Sequence, residues 1–389
     1  MPLVLIGPHV RWSLSHLACG ESCVNPWTAT PEAGISAQVV AAIDINTTAN
    51  QIYKHNFPDT PLWNKTIEGI PLDDFNKLCF DVILMSPPCQ PFTRLGLYRD
   101  VTDPRTKSFL YILQLLPRLH QLPRFILLEN VKGFENSSAR QHLVEMLSKC
   151  GYTYKEVMVS PTSVGIPNSR LRYFLMAKLS PCMVRHNSDS SVLIADKESS
   201  EEAEGSDALS VVPCLPKEKH SEANVLYKLE TTNEALRKMN QNIDLSVRQV
   251  QDFLEAEENI DQYLIPHKTL LRYALILDIV TPLCRRSVCF TKGYGRYVEG
   301  TGSVLQSCME TKMESVFQHL NQCSEKEEKL QLLQKLKLRY FTPREVANMM
   351  GFPKTFSFPA HISTQQRYKV LGNSLNVVLV ASLLRELIS

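Results

Sequence analysis

Cys89 stands directly behind Pro87 and Pro88, at the end of the apolar run FDVILM (80–85). An unperturbed thiol has a pKa of about 8.5 and is mostly protonated at neutral pH, so a nucleophilic role requires local help. Two prolines restrict the backbone that carries it. A thiol held stiffly at the carboxyl edge of an α/β sheet, where open folds bind their ligands, suits covalent catalysis; the plainer alternative is a structural cysteine in a proline-rich turn. Glu129 and Asn130 follow a second apolar run in RFILLENVKGF. A carboxylate there is either a turn residue or an acid aimed into the same crevice. In GIPNSRLRYF (165–174), Arg170 and Arg172 occupy alternate positions of an expected strand and so share one face. Such a pair either forms ordinary surface contacts or grips phosphate and a base carbonyl.

The elements that must carry these groups read as alternating α/β. QVVAAIDI, FDVILMS and RFILLEN are short strands, separated by the helical stretches TTANQIYKHNF and SFLYILQLLPRL. Continuous apolar strands predict a parallel sheet covered on both faces. YTYKEVMVS and LRYFLMAKL supply two more. Residues 181–222 are rich in Ser, Glu, Asp and Lys and predict a flexible insertion. LLRYALILDIV predicts a helix, RRSVCFTKGYGRYVEGTGS a strand and a shaped loop, and residues 311–336 one amphipathic helix.

The chain has 389 residues and a formal charge of +2, which neither requires nor forbids a polyanionic partner. Its 11 cysteines show no CxxC pair or Cys/His ladder with zinc spacing, so no metal is expected, and they predict reduced thiols in the cytoplasm, with the nucleus also open. MPLVLIG is too short for a secretory core, and no stretch reaches the roughly 18 apolar residues of a membrane span.

Taken in order, SPPCQPFT (86–93), ENVKGF (129–134), RLR (170–172), LRYFTPREVANMMGFP (338–353) and QRYKVLGNSLN (366–376) resemble the cytosine-5 methyltransferases. CFTKGYG (289–295), and Asn168-Ser169 where the DNA enzymes usually have Gln-Asn, resemble the branch that methylates tRNA. The resemblance implies a Rossmann-like S-adenosylmethionine-dependent methyltransferase sheet with a smaller target-recognition domain. The expected division is a catalytic domain at 1–180, a target-recognition domain at 181–334 and a returning segment at 335–389.

The resemblance also assigns roles. Cys89 becomes the nucleophile that adds to cytosine C6, Glu129 the group that bonds N3 and the exocyclic amine, and Arg170 and Arg172 the residues that hold the base near the thiol. Asp44 would take the cofactor's ribose hydroxyls and Ile45 would pack on adenine. Pro87, Asn373 and Ser374 would line the same pocket. Asp44 also reads as a helix N-cap, since a helical stretch begins just after it. The implied partner is a tRNA anticodon loop, with tRNA-Asp the expected species. There an unpaired base costs less to extrude than one in a duplex. DNA would bind weakly, and the chain would act as a monomer.

The family's first motif, a strand leading into a Phe/Tyr-x-Gly-x-Gly-Gly turn, is absent: Gly7, Gly20 and Gly34 stand apart. LVLIG is the substitute for the missing strand, with Pro8 following at once. Residues 1–35 are therefore expected to be an altered N-terminus, from alternative splicing or an imperfect gene model, that weakens or abolishes cofactor binding. Two other readings stand beside a tRNA methyltransferase: a DNA cytosine-5 methyltransferase, and an RNA-binding form with little activity. Amino methyltransferases carry an aromatic after the strand-end Pro-Pro, and cysteine there points to carbon chemistry instead.

Overall fold

Strands β1 (Leu3–Ile6), β2 (Val39–Ile43), β3 (Leu62–Trp63), β4 (Val82–Met85), β5 (Phe125–Val131), β6 (Tyr152–Val159), β7 (Arg172–Leu179) and β8 (Val192–Ile194) form one sheet, ordered β3-β2-β1-β4-β5-β7-β6-β8. The structure is a computed structural model and describes residues 3–6, 38–93, 98–180, 192–194, 232–256 and 259–389. Helices α1 (Thr47–Asn56), α2 (Leu72–Leu78), α3 (Lys107–Leu115) and α4 (Ser138–Lys149) connect the strands. A rough sheet between two helical layers explains why the central strands are apolar throughout. Leu3, Leu5, Ile83 and Met85 face a layer containing Phe75, Phe109 and Leu143, whereas Val4, Val82 and Leu84 face the opposite layer.

The expected parallel sheet is corrected to a mixed one. β2–β3, β4–β5 and β6–β8 are parallel. β7 runs antiparallel to both β5 and β6, and β1 runs antiparallel to both β2 and β4. Burial on two faces selects continuous apolar residues whichever way a strand runs, so composition carried no direction.

The remaining chain contains α5 (Thr232–Ile243), α6 (His267–Tyr273), β9 (Ile279–Val280), β10 (Val304–Gln306), α7 (Met313–Leu320), α8 (Lys326–Gln334), β11 (Leu338–Arg339), α9 (Pro343–Met349), α10 (Thr364–Asn373) and α11 (Val377–Ile388). A second sheet, ordered β11-β10-β9, has its own core around Ile265, Ile279, Val304, Phe317 and Leu333. α9, α10 and α11 return to the large sheet, where Leu371, Val380 and Leu384 join the layer beneath Val4 and Leu84. The chain thus crosses from small sheet to large sheet just after β11, a few residues beyond position 335.

Three local expectations are corrected. LLRYALILDIV is helical only to Tyr273 and then passes through a short 3-10 turn into β9, because Ile279 and Val280 pair with β10. Residues 311–336 form two helices, broken in the polar stretch between Leu320 and Lys326. The expected strand around Val288 is a single bridge to Ser169. Most of the insertion at 181–222 lies outside the described residues, and Val192–Ile194 within it pairs with β6.

Gly372 fixes how closely α10 approaches the CFTKGYG segment. A Cβ there would lie 2.2 Å from the carbonyl carbon of Thr291 and 2.3 Å from the amide nitrogen of Lys292. Both obstacles are backbone and cannot rotate away. Gly372→Ala is therefore expected to cost about 1–3 kcal/mol, as overpacked sites do, read as a lower urea midpoint.

Candidate active site

Parallel pairing of β4 with β5 sets Met85 opposite Leu128, so Ser86, just past the end of β4, stands beside Glu129, which is still within β5 near its carboxyl end. The Ser86 hydroxyl donates to Glu129 Oε2 at 2.5 Å. Because β7 is antiparallel, its first residue reaches the same edge: Arg172 pairs with Val131, and its Nε lies 3.4 Å from Glu129 Oε1. Strand direction, more than local sequence, assembles this trio.

Cys89 follows three residues after Ser86, half-buried, at the start of the 3-10 turn Gln90–Phe92. Asn130 Nδ2 donates to the Pro87 carbonyl at 3.2 Å, tying the pedestal to the end of β5. Phe92 packs edge-on against Phe134 with ring centroids 4.9 Å apart. Gly133 allows this closeness: its φ is 107°, and a Cβ would stand 3.2 Å from the Phe92 carbonyl oxygen. Through Ser86 bonded to Glu129 and Pro87 bonded to Asn130, the Cys89 turn is held at the strand edge that carries Glu129 and Arg172.

Burial raises the pKa of Glu129, opposed by Arg172, by the Ser86 hydrogen bond and by Arg170. A raised value keeps the proton on the carboxyl group at higher pH than usual. Burial also opposes charge on Arg172, but Cys289, Glu129 and Cys89 outweigh it and raise its pKa. Arg172→Met is expected to move the Glu129 pKa further upward, because burial then acts with its main opposing charge removed. The alkaline limb of the pH–rate profile should shift to higher pH, and a downward shift would contradict this electrostatic assignment.

Arg170 does different work from Arg172. It lies just before β7 instead of within it, although both guanidinium groups approach Cys289 Sγ. Arg170 Nη1 donates to the Phe290 carbonyl at 2.9 Å, and Nη2 donates to the carbonyls of Gly372 and Ser374 at 3.0 and 2.7 Å. Buried and engaged in this way, it pins the CFTKGYG segment and the end of α10 to the active-site edge. Arg170→Leu is expected to cost about 2–5 kcal/mol, since three buried carbonyls lose a charged donor; thermal unfolding measures it.

Sequence reasoning did not single out Cys289, Ser86 or Asn130's bond to Pro87. Cys289 Sγ lies 3.2 Å from Arg170 Nη1 and 3.9 Å from Arg172 Nη2. Burial opposes its thiolate, but the two guanidinium groups lower its pKa. The CFT tripeptide was the available signal; the contact itself joins segments more than a hundred residues apart.

At the end of β2, two strands from β4, Asp44 is buried and its Oδ1 accepts from the Asn46 amide at 2.9 Å. The N-cap of α1 is Asn46, whose side chain accepts from Ala49 N at 3.1 Å, so Asp44 is not the cap. Ile45 is 56% exposed beside it. Pro87 lies in the Cys89 pedestal. Asn373 ends α10, and the Ser374 hydroxyl is buried and donates to the Val370 carbonyl at 2.8 Å. Among the described residues, no group of three or more His, Cys, Asp or Glu side chains could hold a metal ion.

A family model for C-5 cytosine-specific DNA methylases matches residues 29–389. The chain belongs to the cytosine-C5 methyltransferases. This methyltransferase is 53% identical over 386 residues to the Homo sapiens tRNA (cytosine(38)-C(5))-methyltransferase, an alignment covering 96% of this chain and 95% of that protein. It is 40% identical to the Spodoptera frugiperda protein of the same name, over 92% of this chain and 93% of the relative. A Dictyostelium discoideum relative, 35% identical over 92% of this chain and 91% of its own length, is named DNA (cytosine-5)-methyltransferase. Among solved structures, Spodoptera frugiperda DNMT2 superposes with a TM-score of 0.71 at 36% identity, covering 92% of this chain and 95% of that one. The S. pombe Dnmt2 methyltransferase gives 0.67 at 30% identity, with 92% of each chain covered.

The fit of this methyltransferase to S-adenosylmethionine divides at the sheet. Asp44 and Ile45 offer a carboxylate and an exposed apolar side chain at one strand end, groups suited to a ribose and an adenine. Between Asp44 and Ser86 stands β1, which runs backwards and has no glycine turn at this edge. The described residues therefore do not fit the amino-acid end of the cofactor.

Proposed function

We propose that the chain activates cytosine in tRNA for methylation at C5, with Cys89 as the nucleophile and S-adenosylmethionine as the methyl source. The observation that carries this reading is the convergence of the Cys89 pedestal, the buried Glu129 carboxyl group and Arg172 at one strand edge. The names of the human and insect relatives support tRNA as the substrate.

Covalent addition solves an electronic problem: C5 of cytosine is too electron-poor to attack a methyl donor. The Cys89 thiolate adds its electron pair to C6, forming the S–C6 bond. Electron density moves from the C5–C6 double bond through the ring, and N3 takes the Glu129 proton. C5 is now enamine-like and nucleophilic. S-adenosylmethionine, when bound, supplies an electrophilic methyl group for that carbon. Loss of the C5 proton to a base then expels the thiolate, and the N3 proton returns to Glu129.

Arg172 beside Glu129 favours an anionic thiol and steadies the carboxylate left after proton donation. Arg170 holds the surrounding segments through their carbonyls and acts as a positioning residue. An anticodon loop suits this crevice, because both faces of an unstacked pyrimidine must be free for attack at C6 and C5.

Purified protein, labelled cofactor and either tRNA or duplex DNA test the reading. Transfer to tRNA at least tenfold faster than to DNA is expected. Faster transfer to DNA would favour the activity named for the Dictyostelium relative.

A further inference from the structure

β1 fills the central slot of the large sheet in the reverse direction. Leu3 stands opposite both Ile43 and Met85, the residues immediately before Asp44 and Ser86. Ile6 pairs with Val39 and Val82 at the far edge. The amino end of β1 is thus presented at the site, and its carboxyl end leaves the sheet on the wrong side. Burial holds the strand there: Leu3 and Leu5 are fully buried and Val4 nearly so, one face packing on Phe75 and Phe109 and the other on the helices of the returning segment. The family match begins at residue 29, so β1 lies outside it.

The direction matters because cofactor sites in open α/β sheets are built by the turn after the central strand. Its glycines allow close backbone approach, and the following helix directs N–H groups at anionic parts of the ligand. The reversed strand ends at the opposite edge, where Ile6 pairs with Val39 and Val82. Residues 7–37 contain only Gly7, Gly20 and Gly34, without the Gly-x-Gly spacing of a cradle. Asp44 and the base-side groups escape this change, since β2 and β4 keep their common direction.

We infer that, among the described residues, this chain retains the adenosine side of its cofactor site but offers nothing to the amino-acid end, so that it binds S-adenosylmethionine no more tightly than a nucleoside thioether lacking that end. The inference rests on the proposed function for the identity of the cofactor, and cytosine activation is independent of it. The reversed strand separates two properties that the family ordinarily combines.

Calorimetric titration of the full chain with S-adenosylmethionine and with 5′-methylthioadenosine tests it directly. The two dissociation constants are expected to agree within about threefold, whereas a cradle for a carboxylate and an ammonium would favour S-adenosylmethionine by about tenfold or more. Asp44→Ala should weaken both alike. Preference of tenfold or more for S-adenosylmethionine would overturn the inference, and so would the absence of binding by 5′-methylthioadenosine. A parallel assay measures tritium release from tRNA carrying [5-³H]cytidine, without cofactor: Cys89 adds to C6, C5 takes a solvent proton, and elimination expels the tritium. Release is expected. Its absence would count against the proposed function and leave the affinity ratio to be judged separately.

Discussion

Cys89→Ala is expected to lower cofactor-free tritium release from [5-³H]cytidine tRNA by about 10⁴-fold or more, the scale lost when a covalent catalyst is deprived of its nucleophile. The argument begins with the pedestal. Asn130 holds the Pro87 carbonyl, and Phe92 is anchored on Phe134, so the backbone around residue 89 should survive loss of the sulfur. Cys89 is half-buried and belongs to none of the three apolar cores, which limits the stability cost. RNA affinity should therefore change little while exchange disappears. Retention of exchange near the parent rate would remove Cys89 from the chemistry.

Glu129→Gln should lower the same rate by about 10²–10⁴-fold, the usual contribution of a positioned acid. Glutamine keeps the size and can bond the base, but it cannot transfer a proton to N3. The step needs the Glu129 proton, so the rate falls where that carboxyl group loses it. Since burial raises that pKa, the acid form persists below the raised value and is lost as pH climbs through it. The same sign governs stability: the protonated carboxyl's contribution is fully present below the unfolded-state pKa and disappears as pH rises through the folded one. Glu129→Gln should remove the descending limb along with most of the rate. A variant that keeps both would contradict the acid assignment.

Much of this edge was legible because Cys89 and Glu129 each follow an uninterrupted apolar run, and such runs end where an α/β sheet meets its ligands. The arginines show what spacing leaves out. Both guanidinium groups approach Cys289, but alternation carried no sign that Arg170, just before β7, is engaged by the carbonyls of Phe290, Gly372 and Ser374. Cys289 entered through tertiary folding, for nothing local to it encodes a meeting with residues 170 and 172. LVLI was legible as a strand substitute, but four apolar residues read the same in either direction. Only its pairing with Ile43 and Met85 revealed the reversal.

The residue that forms the bond can be identified by digestion and mass spectrometry after incubation with an anticodon stem-loop containing 5-azacytidine, whose electrophilic C6 retains an attacking thiol. The account predicts nucleotide mass on the peptide carrying Cys89. The same mass on the peptide carrying Cys289, with Cys89 unmodified, would contradict it.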